Sequence, residues 1–337
     1  LKAAFENGGS YNLYTNVAIA EPLVLANGKT LNLNLNGYTI NAGLKEEGRH
    51  HYAIDNYGTM TIEGNGAINA RGVENFGTMT INGDVTITNV DTNGGSAIWN
   101  EGNLTINAGT YTTNASAGAG SYGSALNTQD GGVAVINGGT FEAYSQLTYA
   151  ICNYGTTTIN DAKVKAKHGA VASDDASETK IYGGSFELMP NPGISDHCAY
   201  YVSAIYGGQF TLGENTDSGA QVFYDSTIAD GYVAVNVDGW YKVVEGTVVG
   251  GQSDFNSAVA NSGNVSLEAG NYTMPSVSNG DVTIYGTEST VITVDKPNMS
   301  GSDITFEGVT IKGSGYSTGV QHVNTVTYNG VKVVGEM

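Results

Sequence analysis

Residues 53–62 read AIDNYGTMTI, residues 72–81 read GVENFGTMTI, and residues 150–159 read AICNYGTTTI. The shared phrase begins with a small and an aliphatic residue, passes through a polar turn, and closes with an alternation that ends in isoleucine. Looser copies begin at Ala97, Ala125, Ala170 and Ala199. A period in the twenties, built from short alternating strands and Gly/Asn turns, is typical of a solenoid in which each repeat forms one coil.

The closing isoleucines define the spacing of the repeat. They are Ile62, Ile81, Ile106, Ile136, Ile159, Ile181 and Ile205, so the consecutive steps are 19, 25, 30, 23, 22 and 24 residues. Equivalent positions of parallel stacked coils lie above one another, so we expect these isoleucines to form an inward column. A second inward column is expected from Ile54, Val73, Ile98, Leu126, Ile151 and Val171.

Asparagines recur at two of the predicted turns. One set is Asn56, Asn75, Asn100 and Asn153, and the other is Asn82, Asn107, Asn137 and Asn160. Stacked side-chain amides hydrogen-bond along a column, so we interpret both sets as structural rather than ligand-binding. Glycines at Gly58, Gly77, Gly102 and Gly155 are expected to supply φ > 0 at the corners.

The sequence therefore predicts an all-β protein folded as a parallel β-helix solenoid. Residues 2–7 predict a short N-terminal capping helix, and residues 1–211 the first β-helix with that cap. Residues 212–250 predict a β-hairpin cap or linker that turns at Asp238-Gly239. Residues 251–337 predict a second, incomplete β-helical segment in which Asp254 is the N-cap of another helix, and we expect the chain to be part of a longer protein.

Composition and charge exclude several classes of partner. The chain has 337 residues with 32 acidic and 13 basic side chains, which gives a net charge of −19. Nucleic acids and anionic membrane surfaces require clustered cations, so we predict that this chain binds neither. No apolar run approaches ~20 residues, so membrane insertion is not expected. Nucleotide-binding and zinc-binding motifs are absent from the sequence, and we predict no cofactor and no metal.

The two cysteines, Cys152 and Cys198, lie two coils apart in the repeat alignment. Coils stack at about 4.8 Å, so the two Cα atoms are expected roughly 10 Å apart, which is beyond disulfide reach. We predict two buried free thiols.

A family resemblance is carried by these phrases together with LNLNGYTI at residues 33–40. They resemble the right-handed parallel β-helix repeat proteins of the pectin-lyase-like superfamily. More narrowly, they resemble the large secreted or virion-borne β-helix proteins of gut Firmicutes and their phages, in which a closing hairpin like residues 228–244 is frequent. The resemblance implies right-handed coils. It does not decide function, because that superfamily includes polysaccharide lyases, hydrolases, adhesins and phage fibre or tailspike proteins.

Candidate catalytic residues are Asp174, Asp175 and Asp196. A glycoside hydrolase needs carboxylates at a spacing suited to acid–base catalysis. The pair Asp174-Asp175 and Asp196 are expected one coil apart, but no fixed spacing supports this function. A lyase of this fold is expected to pair acidic Ca²⁺ ligands with a basic residue, but Arg71 has no evident basic companion. Acidic residues at turns are usually solvated, so we favour a protein that is not an enzyme and keep catalysis as the alternative.

Aromatic residues are the other candidate binding feature. Tyr182 and Tyr206 each follow a closing isoleucine, and Tyr57, Phe76 and Tyr154 share one turn position. Exposed rings of this kind either bind sugars or stack on each other along a β-helix, and we favour stacking. A third hypothesis, binding to ice or a mineral through Thr-x-Thr pairs, is disfavoured because coils of 19 to 30 residues are not expected to keep one flat face.

From these observations we predict an extracellular structural or adhesive rod, displayed on a phage virion or on a bacterial cell surface. Its expected partners are other virion or cell-surface proteins, surface glycans, and copies of itself in a homotrimeric fibre. The alternative is a β-helix that binds or cleaves carbohydrate.

Overall fold

A computed structural model describes residues 1–42, 45–46, 49–50, 52–91, 94–114, 123–191, 196–214, 219–261, 263–276, 280–295, 297–313 and 323–335. The chain divides into two compact units, Leu1–Thr227 and Ile228–Met337. The first unit is a β-solenoid whose coils each contribute one strand to three parallel sheets, A, B and C. The predicted all-β parallel β-helix is therefore confirmed.

Sheet A contains the strands that end in the repeat isoleucines. Its members, in order, are β1 (Gly9–Asn12), β4 (Thr30–Asn34), β9 (Thr59–Glu63), β12 (Thr78–Ile81), β15 (Asn103–Ile106), β18 (Val133–Ile136), β21 (Thr156–Ile159), β24 (Glu178–Ile181) and β27 (Ala204–Ile205). Each isoleucine from Ile62 to Ile205 pairs in register with the next, and all seven are fully buried. Burial of such branched side chains contributes about 25 cal/mol per Å² of apolar area.

Sheet B follows sheet A in every coil. Its strands in this unit are β2 (Val17–Ile19), β5 (Thr39–Ala42), β10 (Gly66–Ala70), β13 (Val85–Asn89), β16 (Thr110–Thr113), β19 (Thr140–Ala143), β22 (Lys163–Ala166), β25 (Ser185–Leu188) and β28 (Gln209–Thr211). Its inward column becomes aromatic. Tyr111 stacks on Phe141 at 4.8 Å between ring centroids, and Phe186 stacks on Phe210 at 4.7 Å.

Sheet C completes each coil. Its strands are β3 (Leu23–Leu25), β8 (Ile54–Asn56), β11 (Val73–Asn75), β14 (Ile98–Asn100), β17 (Leu126–Thr128), β20 (Tyr149–Asn153), β23 (Gly169–Ser173), β26 (His197–Tyr200) and β29 (Gln221–Tyr224). The predicted column from Ile54 to Val171 pairs in register and is buried. A two-stranded antiparallel pair, β6 (Lys45–Glu46) and β7 (Arg49–His50), lies in the connection before β8.

Asparagine side chains form two hydrogen-bonded ladders along this unit. In the buried ladder, Asn56 Nδ2 donates to Asn75 Oδ1 at 2.7 Å, and Asn75 Nδ2 donates to Asn100 Oδ1 at 2.8 Å. Thr128 occupies the next coil, and Asn153 continues the column two coils beyond Asn100. In the exposed ladder, each Nδ2 donates to the Oδ1 of the preceding coil. Asn107 donates to Asn82 at 2.7 Å, Asn137 to Asn107 at 2.8 Å, and Asn160 to Asn137 at 2.7 Å.

The extra residues of the longer coils fall mostly at one corner, between the strands of sheets B and C. The 30-residue step contains a connection of residues 114–125, whereas the 19-residue step needs only Arg71 and Gly72 there. Sheet A consequently keeps its register, and Thr59 and Thr61 pair with Thr78 and Thr80. The insertions do not enter the sheets, so unequal coil lengths do not disturb the register of sheet A.

The corner glycines require a second correction. Gly58, Gly77, Gly102 and Gly155 were expected to adopt φ > 0, but none of them does. They pack directly on the backbone of the preceding coil instead. A Cβ at Gly77 would lie 2.2 Å from the carbonyl oxygen of Gly58, and a Cβ at Gly102 would lie 2.1 Å from that of Gly77. Glycine is needed here for close approach rather than for backbone conformation.

The first unit contains the predicted capping helix and the two predicted buried thiols. Helix α1 (Lys2–Asn7) buries Phe5 and confirms the predicted N-terminal helix. Cys152 and Cys198 are both free and buried, as expected.

The second unit contains a hairpin and a smaller solenoid. Strands β30 (Tyr232–Val237) and β31 (Trp240–Glu245) pair antiparallel, which confirms the predicted hairpin. Asp238 and Gly239 both have φ > 0, as a two-residue I′-type turn requires. Helix α2 (Gln252–Ala260) begins two residues before Asp254, which lies in its first turn; Gly251 is the N-cap, so the predicted N-cap was wrong.

Two parallel sheets form the solenoid of the second unit. One contains β32 (Thr247–Val249), β33 (Gly263–Leu267), β35 (Val282–Tyr285), β37 (Asp303–Glu307) and β39 (Thr325–Asn329), and the other β34 (Gly270–Thr273), β36 (Thr290–Thr293), β38 (Thr310–Gly313) and β40 (Lys332–Gly335). Phe255 and Val259 of α2 are buried in the same core as Ile284 and Phe306.

Candidate functional site

A compact group of aromatic and acidic side chains lies where sheet C turns into sheet A on three consecutive coils. Asp55 pairs with Glu74, and Glu74 pairs with Trp99, so these three side chains form one outward row. The inward asparagine follows in each coil. The next residues are Tyr57, Phe76 and Glu101, which form a second row. We call these six residues the corner array.

Crowding of carboxylates changes the acid–base chemistry of the corner array. Burial raises the pKa of Glu74 to about 7, and the neighbouring Asp55 and Glu101 add to that rise while Arg71 opposes it. Burial and the carboxylates of Asp55, Glu74 and Glu101 also raise the pKa of Tyr57. A carboxyl group with a pKa near neutrality beside a second carboxyl group is the arrangement that acid–base catalysis uses.

Direct contacts fix the rings of the array. Trp99 Nε1 donates a hydrogen bond to Glu101 Oε1 at 2.9 Å. Tyr57 and Phe76 stack with ring centroids 4.7 Å apart and planes 6° from parallel. Tyr154 shares their turn position but lies three coils beyond Phe76, after Glu101 and Gln129, so it is outside the array.

A polar depression of about 480 Å³ adjoins the Tyr57–Phe76 stack. It is lined by Asn27, Lys29, Thr30, Thr59, Thr78 and Asn103, besides the two rings and the glycines of these turns. An aromatic wall facing amide, ammonium and hydroxyl groups is suited to a ligand that has both an apolar face and many hydroxyls.

The side chain of Arg71 is held by contacts with Asp91 and Tyr52. Its guanidinium lies 3.6 Å from Asp91 Oδ2, and its central carbon lies 5.7 Å from the ring centroid of Tyr52. Asp91 is almost fully buried and the side chain of Arg71 is largely so. Arg71 therefore ties the connection between β10 and β11 to the connection between β13 and β14 by an ion pair, and adds a cation–π contact with Tyr52.

The structure does not bring the three predicted catalytic aspartates together. Asp174 and Asp175 are exposed in the turn after β23, where the Asp174 carboxylate accepts a hydrogen bond from the amide of Ala176. Asp196 is fully buried and precedes β26. Strands β23 and β26 are parallel neighbours, so these aspartates lie at opposite ends of a strand pair, about 20 Å apart at about 3.3 Å per residue.

Asp196 instead pairs with a histidine that the sequence analysis did not select. Its Oδ1 lies 3.0 Å from His168 Nδ1 and accepts a hydrogen bond from Asn191 Nδ2 at 3.3 Å. Around this pair, Tyr149 contacts His168, and His197 contacts Tyr200 and Tyr224. Burial and the nearby His168 lower the pKa of His197, while Asp225 opposes that shift. The cross-strand pairing of Gly169 with His197 would have placed His168 beside Asp196, had the register been known.

Tyr182 and Tyr206, the other predicted sugar-stacking residues, stack on each other. Their ring centroids are 4.7 Å apart, with planes 5° from parallel, and Tyr182 stays 47% exposed. Each ring therefore covers one face of the other, as expected if these rings stack along the β-helix.

No protein-family model, curated protein or solved structure matches the chain. Within the described ranges, no group of three or more His, Cys, Asp or Glu residues could hold a metal ion. No helix in those ranges is long and apolar enough to cross a membrane.

Proposed function

We propose that this chain is a structural β-solenoid rod displayed outside the cell, on a phage virion or on a bacterial surface. The observation that carries the proposal is that the repeated residues contact their equivalents in the neighbouring coils. The isoleucine column and both asparagine ladders bond or pack coil on coil, so the most regular part of the sequence serves to extend the stack. A rod of this kind needs no partner for its core, because each coil covers the previous one.

The surface of the chain is consistent with exposure to the outside. Its net charge of −19 favours solubility and repels other anionic surfaces. The sequence resemblance to β-helix proteins of the pectin-lyase-like superfamily, including those of gut Firmicutes phages, supports the same assignment. Other virion or surface proteins are the expected neighbours, and a homotrimer is the expected assembly.

Display is tested by labelling intact particles and intact cells that produce the chain. Antibodies against the folded protein should decorate the unbroken surface, and a membrane-impermeant biotin reagent should modify its lysines. A cytoplasmic protein of the same cells serves as the control, because it should label only after lysis. Labelling of this chain only after lysis, together with its absence from purified particles, would refute the proposal. Analytical ultracentrifugation of the purified chain tests the trimer separately.

A second candidate function, cleavage of a glycan, is favoured by the corner array. Glu74, with its raised pKa, is suited to protonate a glycosidic oxygen, and Asp55 on the adjacent coil is suited to act as nucleophile or base. Adjacent coils lie about 4.8 Å apart, close to the carboxyl separation of about 5 Å in retaining glycosidases.

Cleavage is tested by incubating the chain with neutral and acidic polysaccharides and measuring new reducing ends. Activity that is lost in Glu74→Gln and kept in Glu63→Gln, a carboxylate on β9 outside the array, would support cleavage. Absence of product with every polysaccharide would leave the structural function alone.

A further inference from the structure

The aromatic column at the corner of sheets C and A ends abruptly at Tyr57. The amide of Phe76 bonds to the carbonyl of Asn56, and in the same way the amide of Tyr57 bonds to the carbonyl of Leu25. The residue that follows Leu25, Ala26, is therefore the counterpart of Tyr57 in the preceding coil. Phe76 covers one face of the Tyr57 ring, but a methyl group is too small to cover the other.

Tyr57 lines the polar depression together with residues of the preceding coil, which lies on its uncovered side. Tyr57 is 45% exposed, and no other described ring stacks on it. Asn27 and Lys29 of the first coil and Thr30 and Thr59 of sheet A lie around the same space, and all four are exposed. The depression therefore offers one flat apolar surface and several hydrogen-bond donors and acceptors.

We propose that this depression binds one uncharged pyranose ring of a glycan, stacked on the uncovered face of Tyr57. The C–H face of a pyranose packs on an aromatic ring, as a further ring of the column would. Its hydroxyl groups reach the Asn27 amide, the Lys29 ammonium and the threonine hydroxyls. The volume of about 480 Å³ is that of a small-ligand site and leaves room for adjoining sugar residues at its open side.

Charge selects an uncharged sugar over an acidic one. Asp55, Glu74 and Glu101 all act electrostatically on the Tyr57 hydroxyl, so their field extends over the ring that the sugar contacts. Lys29 is the one cationic side chain that lines the described depression, against three nearby carboxylates. A uronic acid placed there would therefore be repelled.

The site is tested on the full chain by calorimetric titration with neutral tetrasaccharides of glucose, galactose, mannose and N-acetylglucosamine. An oligogalacturonate and N-acetylphenylalaninamide are titrated in parallel. We expect at least one neutral tetrasaccharide to bind. Absence of binding by all four, or stronger binding of the galacturonate or of the aromatic amide, overturns the proposal.

Two variants locate the bound sugar. Tyr57→Ala removes the stacking surface, and Ala26→Tyr extends the aromatic column over it; each should weaken binding at least tenfold. Tyr57→Phe keeps the ring and should retain most of the affinity. Tyr182→Ala, at an equally exposed stacked tyrosine of the other column, is the matched control and should bind as the parent does.

Wild-type affinity in both Tyr57→Ala and Ala26→Tyr would refute the site. Circular dichroism of each variant shows whether the fold is kept, and Ala26→Tyr adds a ring at an exposed position, so loss of folding does not obscure the result. The inference is independent of surface display, because a chain that labels only in lysed cells can still bind the tetrasaccharide, and a displayed chain can fail to bind it.

Discussion

The contribution of a side chain to the stability of this protein depends on whether it points into the stacked coils or toward solvent. Asn75 and Asn107 are the same residue type in two ladders, yet Asn75 is fully buried and Asn107 is exposed. Asn75 Nδ2 also donates to the carbonyl of Asn103 at 3.2 Å, so it satisfies backbone as well as side-chain acceptors. A buried polar group that loses its partner bears the full desolvation cost, whereas an exposed one is rescued by water.

Replacement of Asn75 should therefore destabilise the first unit far more than replacement of Asn107. We expect Asn75→Ala to lower the free energy of unfolding by about 3 kcal/mol, because it creates a cavity and leaves Asn56 and Asn100 without an amide partner. Asn107→Ala should cost less than about 1 kcal/mol. Urea unfolding followed by circular dichroism measures both. Equal losses in the two variants would show that the buried ladder has no special role.

The carboxyl group of Glu74 makes stability depend on pH in a defined direction. Its folded pKa of about 7 lies above the ordinary value of 4.5, so the unfolded chain releases this proton at lower pH than the folded chain. The folded state is penalised progressively as pH rises from 4.5 to 7, and fully above 7. Because Glu74 is partly exposed, we expect a screened penalty of about 1 kcal/mol.

Glu74→Gln removes this penalty, so its stability advantage over the parent should be larger at pH 8.5 than at pH 5.5. Urea unfolding midpoints at the two pH values measure the difference. Glu63→Gln is the control and should show the same difference from the parent at both. An advantage for Glu74→Gln that shrinks as pH rises would contradict the assigned burial and charge crowding.

At the scale of the element, the corner turns depend on glycine for packing. The amide of Thr78 bonds to the carbonyl of Gly58, and the amide of Asn103 bonds to that of Gly77, so successive turns sit directly on each other. The sequence showed where these glycines recur but not why. A turn glycine that recurs from coil to coil is equally compatible with φ > 0 and with close approach, and only the stacked coordinates separate the two.

Gly77→Ala should destabilise the solenoid by about 3 kcal/mol, since its Cβ would lie 2.2 Å from a carbonyl oxygen that cannot move without breaking the ladder. Gly251→Ala is the matched control, because a Cβ there meets no atom within 4 Å and the backbone is extended. We expect it to cost no more than about 1 kcal/mol, the loss typical of alanine at a helix N-cap. Thermal unfolding of the two variants decides, and similar melting temperatures would contradict close packing at the corner.

Some elements could be predicted from the sequence, and others could not. Strands of sheets A and C carry short alternating phrases, so their columns could be aligned from the sequence, as Ile62 and Ile81 illustrate. The pairing of His168 with Asp196 could not be aligned, because the connection before β26 is long and β22 and β23 are joined by only two residues. Tyr57 and Phe76 of the corner array were selected from the sequence, but its other row was missed for another reason: Asp55, Glu74 and Trp99 differ in type, so no repeat marks them.

At the scale of the whole molecule, the dominant feature is an excess of negative charge. Acidic residues outnumber basic ones by 32 to 13, and the described ion pairs, such as Lys165 with Glu187 at 2.9 Å, engage only part of the carboxylates. Like charges on a compact chain repel each other more strongly than in the unfolded chain. Repulsion among the surface carboxylates therefore lowers the free energy of unfolding.

Screening of that repulsion should stabilise the protein. Raising NaCl from about 10 mM to about 500 mM shortens the Debye length from about 30 Å to about 4 Å, so repulsion between distant carboxylates is largely removed. We expect the free energy of unfolding to rise by about 1 kcal/mol and the melting temperature by about 2 °C. Chloride is used rather than sulfate because sulfate also strengthens apolar burial. A fall in melting temperature with salt would show that attractive ion pairs outweigh the net charge. An equal rise with an uncharged osmolyte of matched osmolality would show that the effect of salt is not electrostatic.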